Sequence, residues 1–212
     1  SELAVEHEEN EKIFNKICAD LGIKVTNEII EDVCTANFTI HSGKRSVIVE
    51  QESKFCDLVV AAVPLDGKIT GTFEAAVLKS GKNAIVIPRK MRDFKADNIL
   101  VSWTGTTQNA RALTGAIDLL KKAKSVQCIT SKASLGENTE INFRKLEEYF
   151  KIHGISATFD VIATTTIPGE ALLKAANDRN ADLIVAGRYG ENGLMEMVLG
   201  GTSRFFLEHT NI

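Results

Sequence analysis

The sequence predicts an α/β fold in which helices cover both faces of parallel sheets, built from two similar units in tandem. Short, apolar and β-branched segments alternate with segments of helical periodicity along the 212 residues. This alternation is typical of parallel βαβ units rather than of a β-sandwich. One apolar segment also occurs twice with nearly the same residues, which indicates an internal repeat.

The elements follow one another with short connections. Seven short apolar segments are predicted as strands, at residues 24–30, 57–63, 84–88, 99–103, 125–130, 157–163 and 182–186. Apolar residues at helical spacing predict four helices, at residues 8–21, 109–122, 142–153 and 168–179. Pro168 suits the first turn of the last helix, where its missing N–H is not needed.

The repeat defines the two units. Residues 56–62 read C-D-L-V-V-A-A, and residues 181–187 read A-D-L-I-V-A-G. Upstream, residues 20–23 (D-L-G-I) and 152–155 (I-H-G-I) each end an amphipathic helix and precede a strand. We therefore predict a first unit at residues 1–95 and a second at residues 96–212.

The two copies differ in length at their ends. The first copy has no counterpart of the strand, helix and strand that open the second copy at residues 99–130. The second copy stops where the counterpart of the strand at 84–88 is expected. The sequence is therefore expected to be clipped at both ends.

Composition argues against several classes of function. The formal net charge is −3 with both signs intermixed, unlike the basic surface that binds nucleic acid. No apolar stretch approaches the about 18 residues of a membrane helix, and no targeting pattern opens the chain. The four cysteines form no C-x-x-C pair, so structural thiols in a reducing cytoplasm are expected.

The sequence also gives no sign of catalytic or metal-binding residues. The four histidines lack metal-ligand spacing, and neither a G-x-x-x-x-G-K-[ST] loop nor a G-x-S-x-G elbow occurs. No catalytic residue and no metal ligand is therefore predicted.

A glycine-rich segment directly follows the predicted strand at 182–186. It reads G-x-x-G from Gly187, then nine residues, then G-G-T-S from Gly200. Open α/β sheets bind ligands at the carboxyl ends of their strands, and amides at a helix N-terminus bind anions. The candidate phosphate contacts are Gly187, Arg188, Gly190, Gly200, Gly201, Thr202 and Ser203. The alternative is that these glycines only end a strand and cap helices.

This spacing resembles the phosphate motif of the universal stress protein family, which is G-x-x-G, nine residues, then Gly and Ser or Thr. Residues 181–186 (A-D-L-I-V-A) match the strand that precedes the family motif, and residues 98–106 (N-I-L-V-S-W-T-G-T) resemble the family's opening strand and loop. The resemblance covers residues 96–212, and residues 8–89 more weakly. It implies two Rossmann-like units.

The resemblance implies an adenine nucleotide as ligand: ATP, or AMP or ADP, with Mg²⁺ or Mn²⁺ beside the phosphates. The adenosine would lie toward four residues of the opening strand and loop: Val101, Trp103, Thr104 and Gly105. Two positions depart from the family. Gly201 replaces the usual Ser or Thr, which removes a hydroxyl contact, and Thr104 stands where an acidic residue often contacts the ribose region.

The first unit lacks the motif. Gly67 and Gly71 are wrongly spaced, and Pro64 has no amide donor. We therefore expect a degenerate first unit that does not bind nucleotide and instead forms an intramolecular pseudo-dimer with the second. A further homodimer is left open.

The resemblance implies a cytoplasmic stress-response protein that binds nucleotide for regulation, with at most slow hydrolysis. Two alternatives remain: an interaction protein without nucleotide, and an adenylating enzyme of the same fold group. Neither a membrane nor a nucleic acid is an expected partner.

Overall fold

The computed structural model describes residues 2–64, 70–88, 93–131, 139–163 and 168–187. The chain divides into two compact units, Ser1–Ile48 and Val49–Ile212. This division reports spatial contacts, whereas the predicted division at residues 95 and 96 concerns the sequence repeat. The repeat boundary therefore stays a prediction.

The first compact unit is built around one long helix. Helix α1 (Glu2–Asp20) precedes two short parallel strands, β1 (Lys24–Val25) and β2 (Thr35–Ala36). Strand β1 is shorter than the predicted 24–30, because the Glu28 amide donates to the Thr26 hydroxyl at 3.1 Å and turns the chain. The sequence analysis missed β2.

Helix α2 (Arg45–Glu52) crosses the division between the units and was also not predicted. In the second unit, a 3₁₀ turn (Ser53–Phe55) leads into β3 (Leu58–Ala62). Helix α3 (Gly71–Glu74) continues as a π-helical turn (Ala75–Lys79) and is followed by β4 (Asn83–Ile87). Strands β3 and β4 pair in parallel over their whole length, from Leu58 opposite Asn83 to Ala62 opposite Ile87.

The remaining elements form a four-stranded parallel sheet with its connecting helices. Its strands are β5 (Asn98–Ser102), β6 (Ser125–Ser131), β7 (Thr158–Ile162) and β8 (Leu183–Ala186), in the spatial order β7-β6-β5-β8. Its helices are α4 (Thr107–Lys122), α5 (Thr139–Ile152) and α6 (Pro168–Asp178). The parallel α/β prediction is confirmed, and these strands and helices match the predicted ones closely.

Helices cover both faces of this sheet. Ile99 and Val101 of β5 pack on one face with core residues of α4 and α5: Leu113, Ile117, Leu120, Leu146 and Phe150. Leu100, which points to the opposite face because side chains alternate along a strand, packs with Leu172, Ala175 and Ala176 of α6. The three central residues of β5 are therefore apolar, as expected for a strand buried on both faces.

Two helices end in the same way, at the positions that the sequence repeat matches. The Ile23 amide donates to the Cys18 carbonyl at 2.8 Å after α1, and the Ile155 amide donates to the Phe150 carbonyl at 2.9 Å after α5. The intervening glycines, Gly22 and Gly154, have φ values of 67° and 72°. Glycine adopts this left-handed conformation most readily, and it completes the helix-ending motif. Helix α6 ends in the same way with Asn180 (φ 51°), where the Ala181 amide donates to the Ala176 carbonyl at 2.9 Å. The predicted repeat therefore stays a prediction.

Two of the four cysteines are buried, as structural thiols are expected to be. All four are free; Cys18 and Cys128 are buried, Cys56 is half-buried and Cys34 is exposed. Burial raises the pKa of the Cys128 thiol, which lies on β6 opposite Val101.

Among the described residues, no helix is both long and apolar enough to cross a bilayer.

A close contact between α4 and β4 generates the first testable prediction. A β-carbon at Gly115 would lie 1.9 Å from Asn83 Nδ2 and 2.5 Å from Asn83 Cγ, so Gly115→Ala displaces the Asn83 side chain. The cost of Gly115→Ala in the free energy of unfolding, measured by urea denaturation, is expected to be smaller in the Asn83→Ala background by on the order of 1 kcal/mol.

The matched control is Thr114→Ala, at an exposed neighbouring position of the same helix. Its effect on stability should be the same in both backgrounds. Equal effects of Gly115→Ala in the two backgrounds would show that α4 and β4 do not approach each other in this way.

Candidate functional site

The carboxyl ends of β5 and β8 lie side by side in the sheet. Ser102, the last residue of β5, is opposite Ala186, the last residue of β8. The chain leaves β5 through α4 toward β6 on one side, whereas β8 occupies the other side. This is the topological switch point of an open parallel sheet, where ligands bind in such folds. The loop after β5 and the residue after β8 therefore meet at the predicted ligand edge.

The structure assigns different positions to the four predicted adenosine contacts. Val101 is 1% exposed and belongs to the core, so its side chain lies beneath the site. Trp103 is half-buried, and its amide donates to the Ile129 carbonyl of β6 at 2.8 Å. Thr104 is half-buried and Gly105 is exposed, with a φ of 73°. Trp103, Thr104 and Gly105 thus form the loop at the edge, and Val101 supports it.

The indole of Trp103 adds an unusual feature. Its Nε1 is buried and makes no hydrogen bond within the part of the chain that the structure describes. Buried polar groups are nearly always paired, so each exception calls for a physical explanation. The strand β6 beside it ends in two buried polar residues, Thr130 and Ser131.

The loop after β5 is held by the first turn of α4. The Thr106 hydroxyl caps the helix by accepting from the Asn109 amide at 3.3 Å. Asn109 is 3% exposed, and its side chain reaches back into the loop. Its Oδ1 accepts from the Thr104 amide at 2.8 Å and also from the Thr104 hydroxyl, and its Nδ2 donates to the Ser102 carbonyl at 2.9 Å.

Sequence reasoning assigned no function to Asn109 beyond a place at the start of the helix. The residues Thr106-Thr107-Gln108-Asn109 place a polar side chain three positions after a Thr cap. This spacing resembles a capping box, in which the third residue reaches back toward the cap. The pattern indicates a side chain that turns toward the loop, although it does not indicate which loop atoms it binds.

Gly187 approaches the same turn of α4 from β8. It is buried, and a β-carbon built on it would lie 2.4 Å from the Asn109 amide nitrogen and 2.7 Å from the Gln108 carbonyl carbon. No side chain fits at these distances, so the glycine is required by backbone packing. The first glycine of the predicted motif therefore lies against the helix that follows β5.

The other predicted phosphate contacts are Arg188, Gly190, Gly200, Gly201, Thr202 and Ser203, and they lie outside the described residues. Within the described part of the chain, no group of three or more His, Cys, Asp or Glu side chains is arranged to hold a metal ion.

Comparisons with known proteins find similarities for part of the sequence and for the fold. The universal stress protein family model matches residues 130–212. No curated protein matches the chain. The solved structure of a universal stress protein from Archaeoglobus fulgidus is similar, with 21% identity and a TM-score of 0.70, over 97% of this chain and 74% of that one.

Two Pseudomonas aeruginosa structures are also similar over 93% of this chain and 74% of theirs. One is named as a universal stress protein and has 17% identity and a TM-score of 0.59. The other is a protein of unknown function with 16% identity and a TM-score of 0.56. At these identities the likeness establishes a shared fold, and the family model matches residues 130–212, which is less than half of the chain.

The contact between Gly187 and α4 generates the second prediction. Gly187→Ala places a methyl group against backbone atoms that cannot move independently, so the free energy of unfolding is expected to fall by about 1–3 kcal/mol. Amide exchange at Gln108 and Asn109 should also accelerate, as measured by NMR.

Gly154→Ala is the matched control, because no atom lies within 4 Å of a β-carbon there and only the backbone conformation is strained. That strain costs about 1–2 kcal/mol and should leave exchange at Gln108 and Asn109 unchanged. Wild-type stability and exchange in Gly187→Ala would contradict the close approach of β8 to α4.

Proposed function

We propose that this protein binds an adenine nucleotide, ATP or its products AMP and ADP, at the edge where β5 and β8 end. The observation that carries the proposal is that β5 and β8 end side by side at the topological switch point, with Ser102 opposite Ala186 and Gly187 packed against the first turn of α4. Gly187 opens the G-x-x-G, nine residues, G-G-T-S segment. The family match at residues 130–212 supports the same site.

In this proposal the two predicted groups of residues have different functions. Trp103, Thr104 and Gly105 contact the adenosine, above the buried Val101. The amides and hydroxyls between Gly187 and Ser203 bind the phosphates, together with Mg²⁺ or Mn²⁺. Binding is regulatory, in a cytoplasmic stress-response protein, and no residue is assigned a catalytic function.

The proposal includes an asymmetry between the repeats. In the alignment of residues 56–62 with 181–187, Ala62 stands where the second copy has Gly187. The first copy therefore lacks the glycine that the close approach in the second copy requires. We propose that the tandem arrangement pairs a binding unit with a unit that does not bind.

One observation favours an alternative, an interaction protein without nucleotide. Thr104 replaces the acidic residue common in the family, and its amide and hydroxyl both donate to Asn109. Fewer donors are then available to a ligand. Mass spectrometry of small molecules released from the purified protein separates the two functions, since a co-purified adenine nucleotide supports the proposal.

The third prediction concerns stoichiometry. Calorimetric titration of the intact chain with ATP is expected to reach saturation at about one nucleotide per chain, because only the second copy has the glycine spacing. Two equivalent sites would contradict the degenerate interpretation of the first copy.

The fourth prediction tests the phosphate contacts. Gly200→Val adds a branched side chain where the amides must approach a phosphate closely. Each lost charge-assisted hydrogen bond is expected to cost about 1.5–3 kcal/mol. ATP affinity measured by calorimetry should therefore fall roughly tenfold to over a hundredfold per bond, while the circular dichroism spectrum stays that of the folded protein.

Arg204→Ala is the control, with a much smaller expected loss of affinity, because we expect solvent and salt to screen its charge. A folded Gly200→Val protein with wild-type affinity would mean that the glycine spacing only caps a helix.

A further inference from the structure

Asn109 contacts the loop after β5 with its side chain and Gly187 with its backbone. Its side chain spans Ser102 and Thr104, which lie on either side of Trp103. A β-carbon built on Gly187 would lie 2.4 Å from the Asn109 amide nitrogen and 2.8 Å from the Asn109 Cα. Asn109 therefore contacts both segments of the candidate site, the loop after β5 and the chain at Gly187.

The neighbours of the Asn109 side chain determine its orientation. The Ser102 carbonyl accepts only, so the group facing it at 2.9 Å must be the NH₂. The Thr104 amide donates only, so the group facing it at 2.8 Å must be the oxygen. The reverse orientation would place the Asn109 oxygen against the Ser102 carbonyl and its NH₂ against the Thr104 amide. The positions of the oxygen and nitrogen are therefore fixed by these partners.

These bonds go beyond what a helix cap requires. Thr106 already satisfies the helix amide of Asn109 through its hydroxyl, so the Asn109 side chain is free to bind the loop. Without it, the Thr104 amide and the Ser102 carbonyl would lose their partners in a largely buried environment, which is costly for backbone polar groups. The hydrogen bonds thus hold the loop in one conformation.

The same bonds set what Thr104 offers to a ligand. The Asn109 oxygen can only accept, so the Thr104 hydroxyl uses its single proton in that bond. Toward a ligand, Thr104 Oγ1 is then an acceptor. It suits a hydroxyl or N–H donor of the ligand and disfavours an anionic group.

We propose that Asn109 is a positioning residue of the nucleotide site, which holds the loop at 103–106 in register with Gly187 without touching the ligand. This inference rests on the proposed function. It differs from a purely structural function of Asn109, because it couples the local order of Thr104 to nucleotide affinity.

The test compares Asn109→Ala, Asn109→Asp and Ile117→Val with the wild-type chain. Ile117 is buried on the same helix, away from the loop, and removing one methyl group there lowers stability without removing a polar contact. Two quantities are measured: the NMR exchange rate of the Thr104 amide without nucleotide, and the calorimetric dissociation constant for ATP.

Asn109→Ala is expected to accelerate Thr104 exchange by at least about tenfold and to weaken ATP binding by about tenfold or more, the loss of roughly one hydrogen bond to the loop. Asn109→Asp retains an acceptor for the Thr104 amide but places a carboxylate oxygen against the Ser102 carbonyl, so Thr104 protection and ATP affinity should both lie between those of the wild-type chain and Asn109→Ala. Ile117→Val should change neither quantity, although it lowers the urea midpoint.

Each result decides a different point. Unchanged Thr104 exchange in Asn109→Ala overturns the holding of the loop, and faster exchange with unchanged ATP affinity overturns the positioning function. Equal losses of affinity in Ile117→Val and Asn109→Ala would assign the effect to general stability. A wild-type chain that binds no ATP overturns the proposed function itself, and Thr104 exchange then decides alone whether Asn109 holds the loop.

Discussion

The pairing of β5 with a strand on each edge is the interaction on which the C-terminal sheet depends. Val101 is opposite Cys128 of β6 and opposite Val185 of β8, so the backbone groups of β5 are satisfied from both sides. Helices α4 and α5 cover one face and α6 covers the other. The three central residues of β5, Ile99 to Val101, are therefore apolar. At the carboxyl end of the strand, polar residues begin at Ser102 and continue in the loop that follows.

The position of β8 beside β5 also explains the structural importance of Gly187 and Asn109. Because β8 lies directly beside β5, the chain that leaves β8 passes the first turn of α4 at backbone contact distance. Glycine allows this approach, and the asparagine holds the loop on the other side of the turn. Two backbone segments that are 80 or so residues apart in sequence are thus placed through one helical turn.

The sequence predicted the C-terminal unit well because its signals are local and mutually consistent. Residues 125–130 and 182–186 are short apolar runs bounded by polar residues, and they are observed as β6 (Ser125–Ser131) and β8 (Leu183–Ala186). Helix α4 begins at Thr107, two residues before the prediction, because Thr106 caps it. Boundaries of this kind depend on a single side-chain hydrogen bond, which periodicity does not report.

The N-terminal part was predicted less well for a physical reason. Residues 47–49 (V-I-V) are β-branched and favour a strand, yet they lie in α2 (Arg45–Glu52), which has no buried residue. Strand β2 has only two residues, and its pairing with β1 is a contact between distant segments that no local pattern encodes. Asn109 was missed for a different reason: its partners Ser102 and Thr104 are only seven and five residues away, but the capping pattern does not indicate which loop atoms the side chain binds.

The segments matched by the predicted repeat agree in some positions and differ in one beside the candidate site. The glycine that ends α1 and the glycine that ends α5 have the same conformation and the same closing hydrogen bond, because each must reverse the chain between a helix and a strand. At the ends of the matched strands, by contrast, Ala62 and Gly187 differ. A helix-ending glycine serves the fold alone, so both copies need it. Gly187, by contrast, lets the first turn of α4 pack against the end of β8 at the candidate site. Its counterpart in the first copy is Ala62, a difference that agrees with the proposed asymmetry of binding.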